Sequence, residues 1–171
     1  MSQQSDATVV LGIDPGLNTT GYGVIRVSAA RTELIEGGVI RGGSARIPLS
    51  ERLLTLHEGV ADIITTLRPA VLALEELFSH YERPRTAILM GHARGAICLA
   101  AAQAEIPVVS YAATNVKKML TGSGRASKEQ VQTAICREFS LASQPEPPDV
   151  ADALAIALCH AYTDRLNLLS R

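Results

Sequence analysis

Two acidic residues, Asp14 and Glu75, each follow a short apolar run that predicts a buried strand, residues 9–13 and 70–74. If the two strands run parallel in one sheet, their carboxyl ends are neighbours and the two carboxylates form a pair. Each acid has a simpler explanation alone, since Asp14 begins an Asp-Pro-Gly turn and Glu75 could be a strand-end charge in solvent. The side chain of Glu76 must point to the opposite side of the sheet, and spacing does not decide which glutamate joins Asp14.

A second acidic pair, Asp149 and Asp152, lies at the start of a helix predicted over residues 149–166. The three-residue spacing places both side chains on one side of the helix, about 5–6 Å apart at Cβ. An Asp after two prolines is also how a helix start is capped, so capping remains an alternative for Asp149. Asp152 shares the predicted buried stripe of Ala155 and Ile156, where a carboxylate needs a cation or several hydrogen-bond donors.

Metal-dependent hydrolysis is the chemistry that such a cluster predicts. Four converging carboxylates repel one another and favour protonation unless hard divalent cations bind between them. A set of oxygen ligands favours Mg²⁺, with Mn²⁺ as an alternative. Two such ions roughly 4 Å apart can activate a water molecule and stabilise the leaving oxygen of a phosphodiester, so no protein nucleophile is needed.

The elements that must position these acids follow an α/β pattern, expected to form one domain over residues 1–171. The first three strands predict an antiparallel meander and the last two predict parallel strands, in a mixed five-stranded sheet flanked by helices. Ser50 is the predicted cap of the first helix, and Gly91 and Gly95 on the second predict close approach by another backbone. The strands are predicted over 9–13, 21–27, 34–41, 70–74 and 107–111, and the helices over 49–67, 86–103, 114–120, 127–139 and 149–166.

Charge and composition set the expected surroundings of the protein. A net charge of −1 argues mildly against a nucleic-acid partner, but the distribution matters more. The sequence has no apolar run of membrane-spanning length, no export signal and only three cysteines, which predicts a cytoplasmic protein with reduced thiols. The basic residues form two groups: Lys117, Lys118, Arg125 and Lys128, in a stretch without acids, and Arg83, Arg85 and Arg94.

The order of these segments resembles the RuvC crossover junction endodeoxyribonucleases over nearly the whole chain. The resemblance implies a ribonuclease H-like fold. It also implies a homodimer that resolves Holliday junctions, the four-way junctions of DNA recombination and repair, by paired symmetric nicks, together with a branch-migration helicase complex. The matching segments are residues 12–16, 20–25, 74–78, 91–95, 116–117, 122–131 and 149–155.

The resemblance also implies roles for individual residues. Glu75 rather than Glu76 becomes the metal ligand, on the leaving-group side, while Asp14 bridges two ions. Asp149 and Asp152 hold the ion that activates water, and the products carry 5′-phosphate and 3′-hydroxyl ends.

The basic and aromatic residues are the expected DNA contacts. Lys117 and Lys128 match family lysines near the scissile phosphate, with Lys128 expected to be catalytic, although plain backbone binding is an alternative. Phe78 matches an aromatic that stacks at the opened junction centre, or else it is a core residue. The full set of expected DNA contacts is Phe78, Arg83, Arg85, Arg94, Lys117, Lys118, Arg125 and Lys128.

The chain departs from the family between Phe78 and Gly91, where the segment is one residue longer. Arg83 stands where Asn is usual and His92 where Gln is usual, which leaves the base contacts open. One rival is an actin-like ATPase or sugar kinase, whose first phosphate loop resembles Asp-Pro-Gly, but a second Gly-rich phosphate segment is missing. The other is a non-cleaving relative, which would lack a site acid, whereas all four are present.

Overall fold

The structure, a computed structural model, describes residues 7–77 and 83–169. The predicted order of strands and helices is confirmed there, with small shifts at the ends of elements. The strands are β1 (Thr8–Asp14), β2 (Thr19–Val27), β3 (Thr32–Arg41), β4 (Val71–Glu75) and β5 (Val108–Tyr111). The helices are α1 (Leu49–Leu67), α2 (Pro84–Gln103), α3 (Ala113–Thr121), α4 (Lys128–Glu138) and α5 (Pro148–Leu169).

The five strands form one mixed sheet in the order β3-β2-β1-β4-β5. β1, β2 and β3 pair antiparallel, as the meander predicts, and β1 pairs parallel with β4 and β4 with β5. Ile13 is registered with Leu74, so the next residues, Asp14 and Glu75, end neighbouring strands at the same edge. On its other side Asp14 is registered with Gly21 of β2.

Strand alternation divides the core between the two sides of the sheet. Leu11 and Ile13 of β1 and Leu72 and Leu74 of β4 pack in the cluster that includes α1 and α2. The alternate residues of these strands, among them Val10, belong to the cluster formed with α3, α4 and α5. Asp14 and Glu75 continue this second series, so both belong to the side that α5 covers.

Three glycines allow α5 to lie unusually close to this side of the sheet. A Cβ atom at Gly12 would collide with the carbonyl of Ala153, and one at Gly21 with the carbonyl of Asp149. A Cβ atom at Gly23 would meet the side chain of Leu154. Because these strand positions lack side chains, the first half of α5 rests directly on β1 and β2, and nearly all of its residues from Val150 to Ala161 are buried.

One expectation about the helices is wrong in detail. Ser50 is not the cap of α1, because the helix begins at Leu49 and the capping position is Pro48, which makes no side-chain cap hydrogen bond. Apart from the α2 backbone itself, no described atom lies within 4 Å of where a Cβ atom at Gly91 or Gly95 would be, so the expected close approach by another backbone is not made by the described residues of this chain and stays a prediction for a second chain. Both glycines lie on a helix side that is open within the chain.

The three cysteines are free thiols, as predicted, but only Cys159 is fully buried, while Cys98 and Cys136 are half-buried. None of the described helices is both long enough and apolar enough to cross a membrane.

Candidate active site

The acids at the ends of β1 and β4 and at the start of α5 surround one cleft of about 310 Å³. Asp14, Glu75 and Asp152 line it directly, and the charge of Asp149 also acts on Asp14. The remaining wall is apolar apart from two lysines, and consists of Ala113, Val116, Lys117, Lys128, Val131, Ala155 and Ile156. The structure therefore brings together the acids that the sequence predicted from separate segments.

Sheet register places Glu75 rather than Glu76 at this cleft. Glu75 follows Leu74, the partner of Ile13, and therefore lies beside Asp14 on the side that α5 covers. Glu76 is exposed, and its backbone N–H donates to the carbonyl of Tyr111 at 2.9 Å. The position of Glu75 agrees with the choice that the family resemblance implied.

The environment of Asp14 disfavours its ionised form. Burial contributes most and raises the pKa of Asp14 from 3.8 to about 7, followed by the charges of Asp152, Glu75 and Asp149. Lys128 opposes the shift. A carboxylate in this position is stabilised by any further positive charge that enters the cleft.

Glu75 shows the same effect with a different set of neighbours. Burial, and then the charge of Asp152, raise the pKa of Glu75 above its ordinary value. The charges of Arg94 and Lys117 oppose this shift. The ionised forms of the two strand-end acids are thus stabilised by different cations, which come from α2, α3 and α4.

The helix-borne acids are held by local features of α4 and α5. α5 begins at Pro148, so Asp149 lies inside the first turn rather than at the capping position before it, which disfavours the capping alternative. Asp152 accepts a hydrogen bond from Lys128 Nζ at 3.2 Å, with both side chains partly exposed. Lys128 is the first residue of α4, whose start is fixed by a capping box between Ser127 and Gln130.

The donor set fits a hard divalent cation, since every acidic ligand offers oxygen and the acids destabilise one another without a counter-charge. Among the described His, Cys, Asp and Glu residues, no three side chains already lie together at metal-holding distances. The four carboxylates are close enough to interact electrostatically but are not gathered into one coordination shell.

The other predicted contacts fall in different places. Arg83 and Arg85 are exposed at the start of α2, and Arg125 is exposed before α4. Lys118 is exposed on a different groove from Lys117, beside Met119 and Tyr162. Phe78 lies outside the described residues.

Arg94 and His92 are two residues apart in α2 but lie in different environments. Arg94 is half-buried and donates to the backbone carbonyl of Glu75 and, at 3.3 Å, to Ser110 Oγ. His92, the departure from the family pattern, is exposed and lines a shallow groove with Gly95 and Leu99, apart from the cleft.

The loop that follows Asp14 is braced by a residue that the sequence reasoning missed. Arg52 of α1 is 5% exposed and donates from Nη2 to Asn18 Oδ1 at 2.5 Å, while its buried Nε has no partner among the described residues. The carbonyl of Asn18 in turn accepts the N–H groups of Gly42 and Gly43. The available signal was the place of Arg52 on the apolar stripe of α1, one turn before Leu56.

The family model of the crossover junction endodeoxyribonuclease RuvC matches residues 10–160. RuvC of Rhodopirellula baltica is 53% identical over 161 residues, covering 94% of this chain and 90% of that protein. The structure of Thermus thermophilus RuvC in complex with a Holliday junction substrate is 38% identical, with a TM-score of 0.88, covering 94% of this chain and 96% of that one.

A yeast mitochondrial Holliday junction resolvase shares the fold at 13% identity, with a TM-score of 0.63 over 92% of this chain and 81% of that one. The strand order and the helices on both sides of the sheet are those of the ribonuclease H-like fold, and the family match makes the chain a hydrolytic nuclease of that fold. The chain belongs to the RuvC family of crossover junction endodeoxyribonucleases, as the sequence resemblance predicted. Nucleases of this family depend on a metal ion.

Proposed function

We propose that this chain, as one nuclease domain, cleaves four-way DNA junctions by paired symmetric nicks that leave 5′-phosphate and 3′-hydroxyl ends. The observation that carries the proposal is the convergence of three carboxylates, from β1, β4 and α5, at one cleft in a RuvC-family chain, with the charge of a fourth, Asp149, acting on Asp14. The junction complex of the Thermus relative supports four-way DNA as the substrate.

The proposed cofactor is a pair of Mg²⁺ ions, which Mn²⁺ can replace. When bound, the ions supply charge that activates water and stabilises the leaving oxygen. Asp14 is the proposed ligand shared by both ions. Glu75 is the proposed further ligand of one ion, and Asp149 and Asp152 are those of the other. The raised pKa of Asp14 supports this arrangement, because it reflects burial and repulsion that bound cations would offset.

Lys117 and Lys128 are the proposed cations for the scissile phosphate, since both line the cleft. Lys128 is held over the acids by Asp152, and it donates three hydrogen bonds at most. The phosphate competes with Asp152 for this ammonium group when DNA enters. Lys128 thereby stabilises the charge that develops on the phosphate during cleavage.

The proposed DNA path extends from the cleft over the exposed arginines. Arg83 and Arg85 lie at the start of α2 and Arg125 lies before α4, so backbone phosphates can be neutralised on both sides of the acids. Lys118 extends the basic surface along α3, and Phe78 is proposed to stack at the opened junction centre.

A homodimer is proposed because paired nicks need two sites. The outer surface of α2 and the adjoining part of α1 expose large apolar side chains: Ile88 at 63%, Leu99 at 53% and Leu54 at 55%. Gly91 and Gly95 lie open beside them. Such an apolar patch is typical of a protein interface.

Leu99→Glu is expected to produce a monomer in sedimentation and to replace paired nicks by independent single ones. Leu168→Glu, at an equally exposed leucine of α5, is the matched control and should remain dimeric. A dimer that survives Leu99→Glu with coordinated nicking contradicts this interface. The proposed place of action is the cytoplasm, and the partner that the family resemblance implies is a branch-migration helicase complex.

The deciding experiment is cleavage of a synthetic four-way junction with Mg²⁺ or Mn²⁺, beside linear duplex and single-stranded controls. Asp14→Asn should bind the junction but lose about 10³-fold or more in cleavage rate, because a ligand of the metal site is removed. An active Asp14→Asn protein contradicts the site. Junction binding without cleavage in either metal indicates a non-cleaving relative, and ATP hydrolysis without junction cleavage indicates the kinase-like rival.

A further inference from the structure

Arg94 joins α2 to the ends of two neighbouring strands beside the acids. Its Nη1 group donates to the backbone carbonyl of Glu75, and its Nη2 group donates to Ser110 Oγ of β5 at 3.3 Å. The helix turn that carries it is fixed in the core, because the adjacent Ala93 and, one turn on, Ile97 are both 0% exposed. The backbone of Arg94 is therefore fixed by the packing of α2, and its guanidinium group makes the hydrogen bonds to β4 and β5.

These hydrogen bonds lie where the sheet ends. Glu75 is the last residue of β4, and the N–H of Glu76 makes the next bond to β5, at Tyr111. The carbonyl that Arg94 binds belongs to the same residue as the site carboxylate. Arg94 thus restrains the position of the Glu75 backbone at a point where one neighbouring strand supplies the rest of the support.

The charge of Arg94 is also directed at the cleft. Arg94 and Lys117 are the cations whose charges act on the Glu75 carboxylate, whereas Lys128 acts on Asp14. A guanidinium stays charged at every working pH and donates in a fixed planar fork, so it can hold a carbonyl and a hydroxyl at once. Arg94 is half-buried and two of its five N–H donors are bound within the protein, whereas a phosphate-binding arginine presents its donors to solvent, as the exposed Arg85 can.

We propose that Arg94 is a positioning residue for Glu75 and makes no contact with DNA phosphate. It holds the strand end in place and supplies a permanent positive charge beside the metal site. The assignment rests on the proposed function, because it gives Arg94 a part in preparing Glu75 as a ligand. It also replaces the role that the sequence suggested, in which Arg94 was one of several DNA contacts.

The test compares Arg94→Met with Arg85→Met, and with Arg31→Met as a control for loss of one positive charge. Arg31 is paired with Glu33 in the β2–β3 hairpin, at the opposite end of the sheet. Junction affinity is measured against salt concentration in metal-free buffer, and single-turnover cleavage is measured against Mg²⁺ concentration. The first readout does not depend on a metal-loaded enzyme.

Arg94→Met should leave metal-free junction affinity and its salt dependence as in Arg31→Met, but should lower cleavage, or raise the required Mg²⁺ concentration, about 10–100-fold. Arg85→Met should reduce the slope of log affinity against log salt by about one. Arg94→Lys should recover part of the cleavage, because it keeps the charge and one donor.

If Arg94→Met does not fold by circular dichroism, Ser110→Ala and Arg94→Lys carry the same comparison with smaller changes. A loss of metal-free affinity and of salt dependence in the Arg94 variants, with normal cleavage of bound junction, overturns the proposal. Absence of cleavage by the wild-type protein contradicts the proposed function itself, so the two failures are distinguishable.

Discussion

The strand-borne acids and the helix-borne acids of the cleft are held in different ways. Asp14 and Glu75 end strands inside a sheet, where burial raises the pKa of both groups. Asp152 lies on α5 with 38% of its side chain exposed and an ion pair to Lys128. Backbone hydrogen bonding fixes the first pair, whereas the position of a whole helix fixes the second.

The strand-borne and helix-borne halves of the site therefore depend on different free-energy terms. The strand-borne acids are expensive to ionise, because partial burial removes water that would solvate the charge. Asp152 keeps contact with water and an ion pair with Lys128, but it reaches the cleft only while α5 stays close to β1 and β2. The first half should therefore respond to charge, and the second to added volume.

Asp14→Asn should produce the largest change in stability in metal-free buffer. The folded protein holds a proton on Asp14 between pH 3.8 and about 7 that the unfolded chain has released. The free energy of unfolding therefore falls as the pH rises through this window. At about pH 8 the variant should be more stable than wild type by roughly 2–4 kcal/mol, as measured by urea unfolding.

Asp152→Asn is the matched comparison for this prediction. It should stabilise the metal-free protein less than Asp14→Asn, because it relieves repulsion on Asp14 while leaving the larger burial contribution in place. Added Mg²⁺ should reverse the order and make wild type the most stable. Equal stability of Asp14→Asn and wild type at every pH would show that Asp14 is ionised without cost.

Gly21→Ala should have the next largest effect, acting on the helix-borne half. Its methyl group would collide with the carbonyl of Asp149, so α5 must move away from β2. Overpacking of this kind costs about 1–3 kcal/mol, to be measured by urea unfolding, and cleavage should fall as well. Gly91→Ala adds the same group where no described atom outside the α2 backbone lies within 4 Å, so it should cause no such loss in the free energy of unfolding.

Lys128→Met should have the smallest effect on stability, within about 1 kcal/mol of wild type, because both partners of its ion pair are partly exposed. The cleavage rate should nevertheless fall by much more than this small change in stability would explain, since the proposed role of Lys128 is at the scissile phosphate. Thermal unfolding and single-turnover cleavage, compared on one preparation, separate the two. A large drop in stability with normal cleavage would make Lys128 a structural residue.

The sequence was sufficient to predict that two strands each end in an acid. Residues 9–13 and 70–74 are continuous apolar runs, typical of strands covered on both sides, and each ends in an acid. Strand pairing then decides between Glu75 and Glu76, and pairing is a long-range property that the spacing in one segment does not contain. The family resemblance supplied that choice before the register did.

The helix-borne half was less predictable for a physical reason. Gly21 and Gly23 looked like ordinary strand residues, because their importance comes from α5, more than 120 residues later in the chain. The orientation of Arg94 was missed similarly, since basic residues near a predicted nuclease site are most simply expected to bind phosphate. The prediction that Ser50 caps α1 was wrong because Pro48 occupies the capping position.

The alternation of side chains along the strands has a mechanical consequence for the proposed dimer. Ile13 and Leu74 are packed on the side of α1 and α2, and each is joined by one peptide bond to a site acid on the other side. In the proposed homodimer, a partner that presses on α2 acts on a helix packed in the same cluster as Ile13 and Leu74, and each of these residues directly precedes a proposed metal ligand. Contact with a partner on one side of the sheet can therefore shift the proposed ligands on the other side through adjacent residues of one strand, which would coordinate the two cuts.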